Sequence, residues 1–277
     1  MTDSLLRAVR AGVQVYDLSR PYEIGMPQSP NHPAYWHSLP RRHGDKVRED
    51  GGSAANDIIV LGTHVGTHMD ALAHVSQDGR LHGGVDAVEA QVGGRFPTQG
   101  IDVVEPGLSG CTLLDVPAAL GLDSCEPGYE ITPGDLELTV ERQRVELRPD
   151  EVILIRSGWG QRWSEGVAYV GRDSGVPGVG EAGASWLAKH RPRAVGADTI
   201  AFEHLPAGKG HASLPAHRVL LVEEGINIIE TMDLEGLATD GVHEFTLVLA
   251  PLALVGATGS PLRPLALVAG EQEVGSV

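Results

Sequence analysis

From residue 151 onward, short apolar runs alternate with glycine, proline and charge: EVILIRSGW, RAVGADTIAF, HRVLLVEEGINIIE, FTLVLAPLAL and PLALVAG. Runs of this length, rich in branched aliphatics and bounded by breakers, predict buried strands that share one sheet. Between two of them, EAGASWLAKH puts Ala182, Trp186 and Leu187 at helical spacing. Lys189 and His190 follow where cations suit the helix dipole, so a helix is predicted there. The opening differs. DLSRPYEIGMPQSPNHPAYW sets four prolines among few apolar positions; this arm, about residues 1–50, should wrap over a surface and could cover a pocket. From Asn56 the pattern becomes DIIVLGTHVGTHMD, a β-branched run whose isolated glycines mark close backbone approach. It reads as a strand entering a site. No repeat, heptad or low-complexity tract divides the chain. Residues 1–277 therefore read as one α/β domain with an N-terminal arm.

Composition narrows the partners. With 277 residues, 42% of them hydrophobic, the chain can bury a full core. Its 37 acidic against 21 basic side chains give a net charge of -16, a field that repels phosphate backbones and anionic lipids. Nucleic acid and membrane partners are not expected, and a small-molecule substrate is. No run approaches the roughly 18 apolar residues of a membrane span. MTDSLLRAVRAGVQVYD lacks the charged-then-apolar order of a secretory signal, so a cytoplasmic location is expected. Cys111 and Cys125 form no CxxC pair; any metal must rely on histidine and carboxylate.

Candidate chemistry concentrates in residues 64–74, HVGTHMDALAH. On an extended strand His64, Gly66, His68 and Asp70 project to one side, with Gly66 leaving room between the imidazoles. Two imidazoles and one carboxylate suit Zn²⁺, Mn²⁺ or Fe²⁺, and three protein ligands leave a position open, as catalytic sites require. If a helix starts at Asp70, His74 returns to the Asp70 side one turn on, a candidate general acid/base. Asp198, which ends AVGAD, either supports the ligands from behind or caps the following turn; Thr67 is a second candidate supporting residue. Tyr35, Trp36 and Trp159 are candidates for lining an aromatic pocket. His32, His37, His43 and His82 read as solvated loop residues. The glycine-containing loop EHLPAGKGHASLP, flanked by His204 and His211, could close over a substrate. Neither a phosphate-binding glycine fingerprint nor a GxSxG serine elbow occurs.

Residues 64–74 closely resemble HxGTHxDxPxH, the mark of the family known as Putative cyclase. That family includes bacterial kynurenine formamidases, isatin hydrolases and a lactone hydrolase branch. DLSRPYEIGMP, VILIRSGWGQRW, AVGADTIAFE, LPAHRVLL, GINIIETMDL and FTLVLAPLALVGATGSPLRPLAL are similar to it as well. The resemblance implies a swivelling β/β/α single domain with a mixed sheet, assembled as a homodimer or homotetramer in which one subunit's arm often reaches a neighbour's pocket. It implies that His64, His68 and Asp70 bind a first metal, that Asp70 bridges to a second, and that His217 and Glu230 complete that second site. One or two ions per chain, Zn or Mn, are thus expected, with His74 as the catalytic histidine. Glu230 fits independently, since a glutamate ending the apolar run INIIE needs a partner when desolvated. The expected activity is hydrolysis of a small amide, cyclic amide or lactone by metal-activated water. Two rivals are a polyketide-type cyclase or lyase in which the metal stabilises an enolate, and a metal-stabilised binding protein without catalysis. One departure, Leu72 where many members have proline, bears on the substrate, because the turn after Asp70 shapes the pocket.

Overall fold

A computed structural model describes residues 4–270; residues 1–3 and 271–277 of the expected domain lie outside the described residues. The strands are β1 Val13–Asp17, β2 Trp36–Arg41, β3 Asn56–Val60, β4 His68–Asp70, β5 Gly107–Asp115, β6 Glu130–Ile131, β7 Val152–Arg156, β8 Gly178–Val179, β9 Ala194–Ala197, β10 Asn227–Glu230, β11 Glu244–Leu249, β12 Gly259–Pro261 and β13 Leu265–Ala269. The helices are α1 Ser4–Ala11, α2 Val116–Leu120, α3 Pro133–Gln143, α4 Val167–Val170, α5 Glu181–Lys189, α6 Pro215–His217 and α7 Glu235–Thr239.

Nine strands form one mixed sheet in the order β1-β13-β11-β5-β7-β9-β10-β4-β12. Its centre, β5-β7-β9-β10, is parallel and its flanks are antiparallel. β7 explains why the centre is buried on both faces. Ile153 and Ile155 join a core with Leu136 of α3 and Leu187 of α5, while Val152 and Leu154 point the other way to Leu113, Ile229 and Leu247. A strand buried on both faces reads as a continuous apolar run, and VILIR does. The fold is the expected mixed α/β domain with one large sheet.

Four of the five apolar runs contain the expected strand, as β7, β9, β11 and β13, and the predicted helix is α5. The fifth divides. Asn227–Glu230 is strand β10, but HRVLLVEE is not extended. Pro215, at a first helical position, starts α6, which continues as a π-helix over Arg218–Glu224. A short apolar run does not by itself distinguish buried strand from buried helix.

The expected strand across residues 57–70 also divides. β3 pairs only with β2 in a separate hairpin, every residue of it exposed. The chain then turns at Gly66, whose φ is +61°, and only His68–Asp70 enters the main sheet. No helix begins at Asp70; the chain makes a turn in which His74 N donates to Ala71 O at 2.9 Å. Among the described residues no helix is long and apolar enough to cross a membrane.

Candidate metal centre

β4 sits between β10 and β12, and its registers assemble the site. Glu230 of β10 lies directly opposite His68, and Ile228 opposite Asp70. Alternation along the strand puts His68 and Asp70 on one face. His64 comes from the preceding turn instead of the strand, its Nδ1 2.6 Å from Asp70 Oδ1 and its Nε2 2.9 Å from Thr258 Oγ1. His68 Nε2 is 3.4 Å from both Asp70 Oδ1 and Glu230 Oε2. His217, on the short α6, places Nε2 3.1 Å from Glu230 Oε1 and 3.7 Å from Asp70 Oδ2. All five residues thus converge.

The far sides of the rings are anchored. His68 Nδ1 lies 2.8 Å from Gly66 O, and His217 Nδ1 lies 2.9 Å from Glu203 Oε2. Glu203 also accepts from the backbone N–H groups of Ala216 and His217. Such contacts fix the tautomer that leaves Nε2 as the free donor atom of a ligating histidine.

Electrostatics favour a cation. Burial lowers the pKa of His68, but Asp70 and Glu230 outweigh it and push it up to about 9. Burial likewise lowers His217, and Glu203, Glu230 and Asp70 push it up to about 10. Burial raises the Asp70 carboxyl, yet the imidazoles of His74 and His64 hold it well below the usual range. Two buried oxygens, Asp70 Oδ2 and Glu230 Oε1, face His217 Nε2 at 3.7 and 3.1 Å but lack a well-aligned hydrogen bond. A buried carboxylate oxygen without a well-aligned hydrogen bond is costly, so the donor set fits a divalent ion. Two groups have donor atoms within 4.8 Å of one another: His64, Asp70 and His74, and His68, Asp70 and Glu230. They share Asp70.

His74 stacks on His64 with ring centroids 3.8 Å apart. Burial pulls its pKa down to about 3, the neighbouring imidazoles adding to this against Asp70. The cavity above these rings has a volume of about 210 Å³ and is walled by Val75, Ile200, Ala201 and Leu214. Asn31, His32 and His211 complete its rim. His32 corrects the solvated-loop reading: the arm brings its ring 5.4 Å from that of His64. Nothing in its local sequence separates it from His37 or His43, which are exposed. His82 is also half-buried, its Nδ1 3.0 Å from Val222 O.

The aromatic candidates do not line this cavity. Trp159 is fully buried and its indole N–H donates to Tyr169 O at 2.8 Å, a packing role. Tyr35 meets Tyr22 edge-on, and Trp36 is 48% exposed on β2. Asp198 accepts from Ser157 N, Ser157 Oγ and Gly160 N, which ties the β7 and β9 ends together. Thr67 Oγ1 donates to Thr231 O and accepts from Arg20 N, pinning the ligand turn to the segment after β10. Glu203 escaped the sequence reading; an acid closing the apolar stretch TIAFE was its only signal.

Known proteins similar to this chain include two relatives and one solved structure. Isatin hydrolase of Roseibium aggregatum is 26% identical over 245 residues, 85% of this chain and 84% of that protein. Kynurenine formamidase of Sphingopyxis alaskensis is 25% identical over 254 residues, 91% of this chain and 97% of that protein. A crystal structure described as a novel cyclase superposes with a TM-score of 0.81 at 29% identity, covering 96% of this chain and 93% of the other. The model of the Putative cyclase family matches residues 16–204, more than half of the chain, and the chain belongs to that family, with relatives named as hydrolases.

Proposed function

We propose that this protein is a metal-dependent hydrolase of a small amide, cyclic amide or lactone. The convergence of His64, His68, Asp70, His217 and Glu230 beneath a small, partly apolar cavity carries the reading. These five residues would hold one or two ions, zinc or manganese, with Asp70 common to both positions. A divalent ion there supplies Lewis-acid polarisation of a carbonyl and lowers the pKa of water. The His74 ring has no hydrogen-bond partner among the described residues and lines the cavity; neutral, it would relay a proton from the attacking water to the leaving nitrogen or oxygen. Val75, Ile200, Ala201 and Leu214 keep bulk water from the reacting carbonyl. The amide-cleaving names of the two relatives support this substrate range.

The same reading includes self-association and a cytoplasmic location. α1 buries none of its residues, and Leu5, Leu6 and Val9 are exposed, as are Trp36, Ile58, Ile59 and Val60 of the hairpin. Apolar faces of this kind support a homodimer or homotetramer, which light scattering after gel filtration would measure.

Elemental analysis and isotope labelling test the activity together. About one or two zinc or manganese ions per chain, lost in His68→Ala, and one ¹⁸O from labelled water in the product are expected. A product free of label would replace hydrolysis with cyclisation or elimination. Folded protein that takes up no metal would sink the reading.

A further inference from the structure

Two larger cavities adjoin the metal cavity, and their charges differ. One, about 660 Å³, contains Arg218 and Glu181, which form an ion pair with each other; Arg218 also meets Glu223 at 3.2 Å. The other, about 540 Å³, shares Asn31 and His211 with the metal cavity and is lined by Arg172 and Lys209 without any acidic side chain. Neither cation has an ion-pair partner among the described residues.

The backbone holds these two cations on one wall. Gly208 N donates to Arg172 O at 3.0 Å, and Val176 and Leu205 exchange both bridge hydrogen bonds just beyond. Lys209 follows Gly208 in a turn closed by its N–H to Pro206 O at 3.1 Å. Both side chains are exposed, so their mutual repulsion is screened by solvent; an anion between them would make two charge-assisted contacts.

We propose that this cavity is a carboxylate subsite, and that substrates cleaved at the metal centre carry an anionic group that Arg172 and Lys209 receive. The subsite rests on the hydrolase reading and deepens it. The shared rim residues, Asn31 and His211, lie between the scissile bond and the anion. The carboxylate therefore sits on the far side of the substrate from the carbonyl under attack, and the spacing between the two sets the preferred substrate length.

The test uses the full chain reconstituted with zinc and a matched series: formanilide, 4-formamidobenzoate and 4-formamidophenylacetate for hydrolysis, with acetanilide and 4-acetamidobenzoate for binding by calorimetry. At least one anionic member is expected to show kcat/KM and affinity about tenfold above its neutral partner. In Arg172→Gln/Lys209→Gln that ratio should fall to about one, and Arg172→Lys should restore part of it. An anion preference absent from the native protein, or one that survives the double substitution, overturns the subsite. If the calorimetric preference behaves as expected while no formanilide is cleaved, the subsite stands and the acyclic-amide part of the hydrolase reading fails.

Discussion

The imidazole of His74 lies flat against that of His64, centroids 3.8 Å apart and planes inclined by 22°. The contact places a neutral ring over the ligand turn, where it helps to line the cavity. His74→Ala is expected to lower kcat by about a hundredfold or more, with metal content retained. Loss of the ion in this variant would instead assign His74 to the ligand set, which its spacing to His64 and Asp70 permits.

Gly66 has a left-handed φ of +61°, and a Cβ there would lie 2.8 Å from the Tyr22 ring, whose hydroxyl donates to Thr67 O. Gly66→Ala should therefore destabilise the fold by about 2 kcal/mol and weaken metal binding, because Tyr22 must move off the ligand turn. Gly79→Ala, at φ +72° with open space around the Cβ, isolates the backbone strain alone. Equal metal affinity in the two variants would show that the Tyr22 contact does not matter.

Asp198 is fully buried and accepts three hydrogen bonds. Asp198→Ala strands those donors and should cost about 3 kcal/mol in urea denaturation. A loss below about 1 kcal/mol would mean that water replaces the carboxylate.

Burial lowers the pKa of His243, against a weaker opposing pull from Asp115. Its folded pKa thus lies below its unfolded one, so as pH falls through about 6.5 the unfolded chain binds the proton first. The stability contributed by the neutral ring is present above that pH and declines below it. The stability of the native protein relative to His243→Gln should accordingly shrink between pH 7.5 and 5.5, as followed by urea unfolding at both values. A constant difference would rule out His243 as the titrating group.

The strands of the second half were legible because burial on both faces leaves uninterrupted apolar runs. β5 and α3 were not read, although Thr132-Pro133-Gly134-Asp135 spells a capping box that the structure forms. The candidate metal-binding motif was visible as a cluster, but its geometry was not. A strand was the simplest way to align His64, His68 and Asp70, and the left-handed Gly66 achieves the same convergence through a turn. The loop carrying His211 was read as one that could close over a substrate, and His211 does reach the rim; His32 and Glu203 stayed hidden because each reaches the site from a distant loop, and local spacing carries no record of tertiary contact.

β4 has only three residues, each shared between two neighbouring strands. That corner of the sheet holds much of the molecule's buried charge, whereas the β5-β7-β9 centre rests on aliphatic packing. With the proposed ion in place, the two regions would answer to different supplies: one to the hydrophobic effect, the other to the concentration of a dissolved ion. Chelation should loosen the corner while the centre stays closed, so that amides of residues 64–74 exchange with deuterium long before those of β7. A cell short of metal would then hold a chain that is still folded but open at the edge that carries the proposed site.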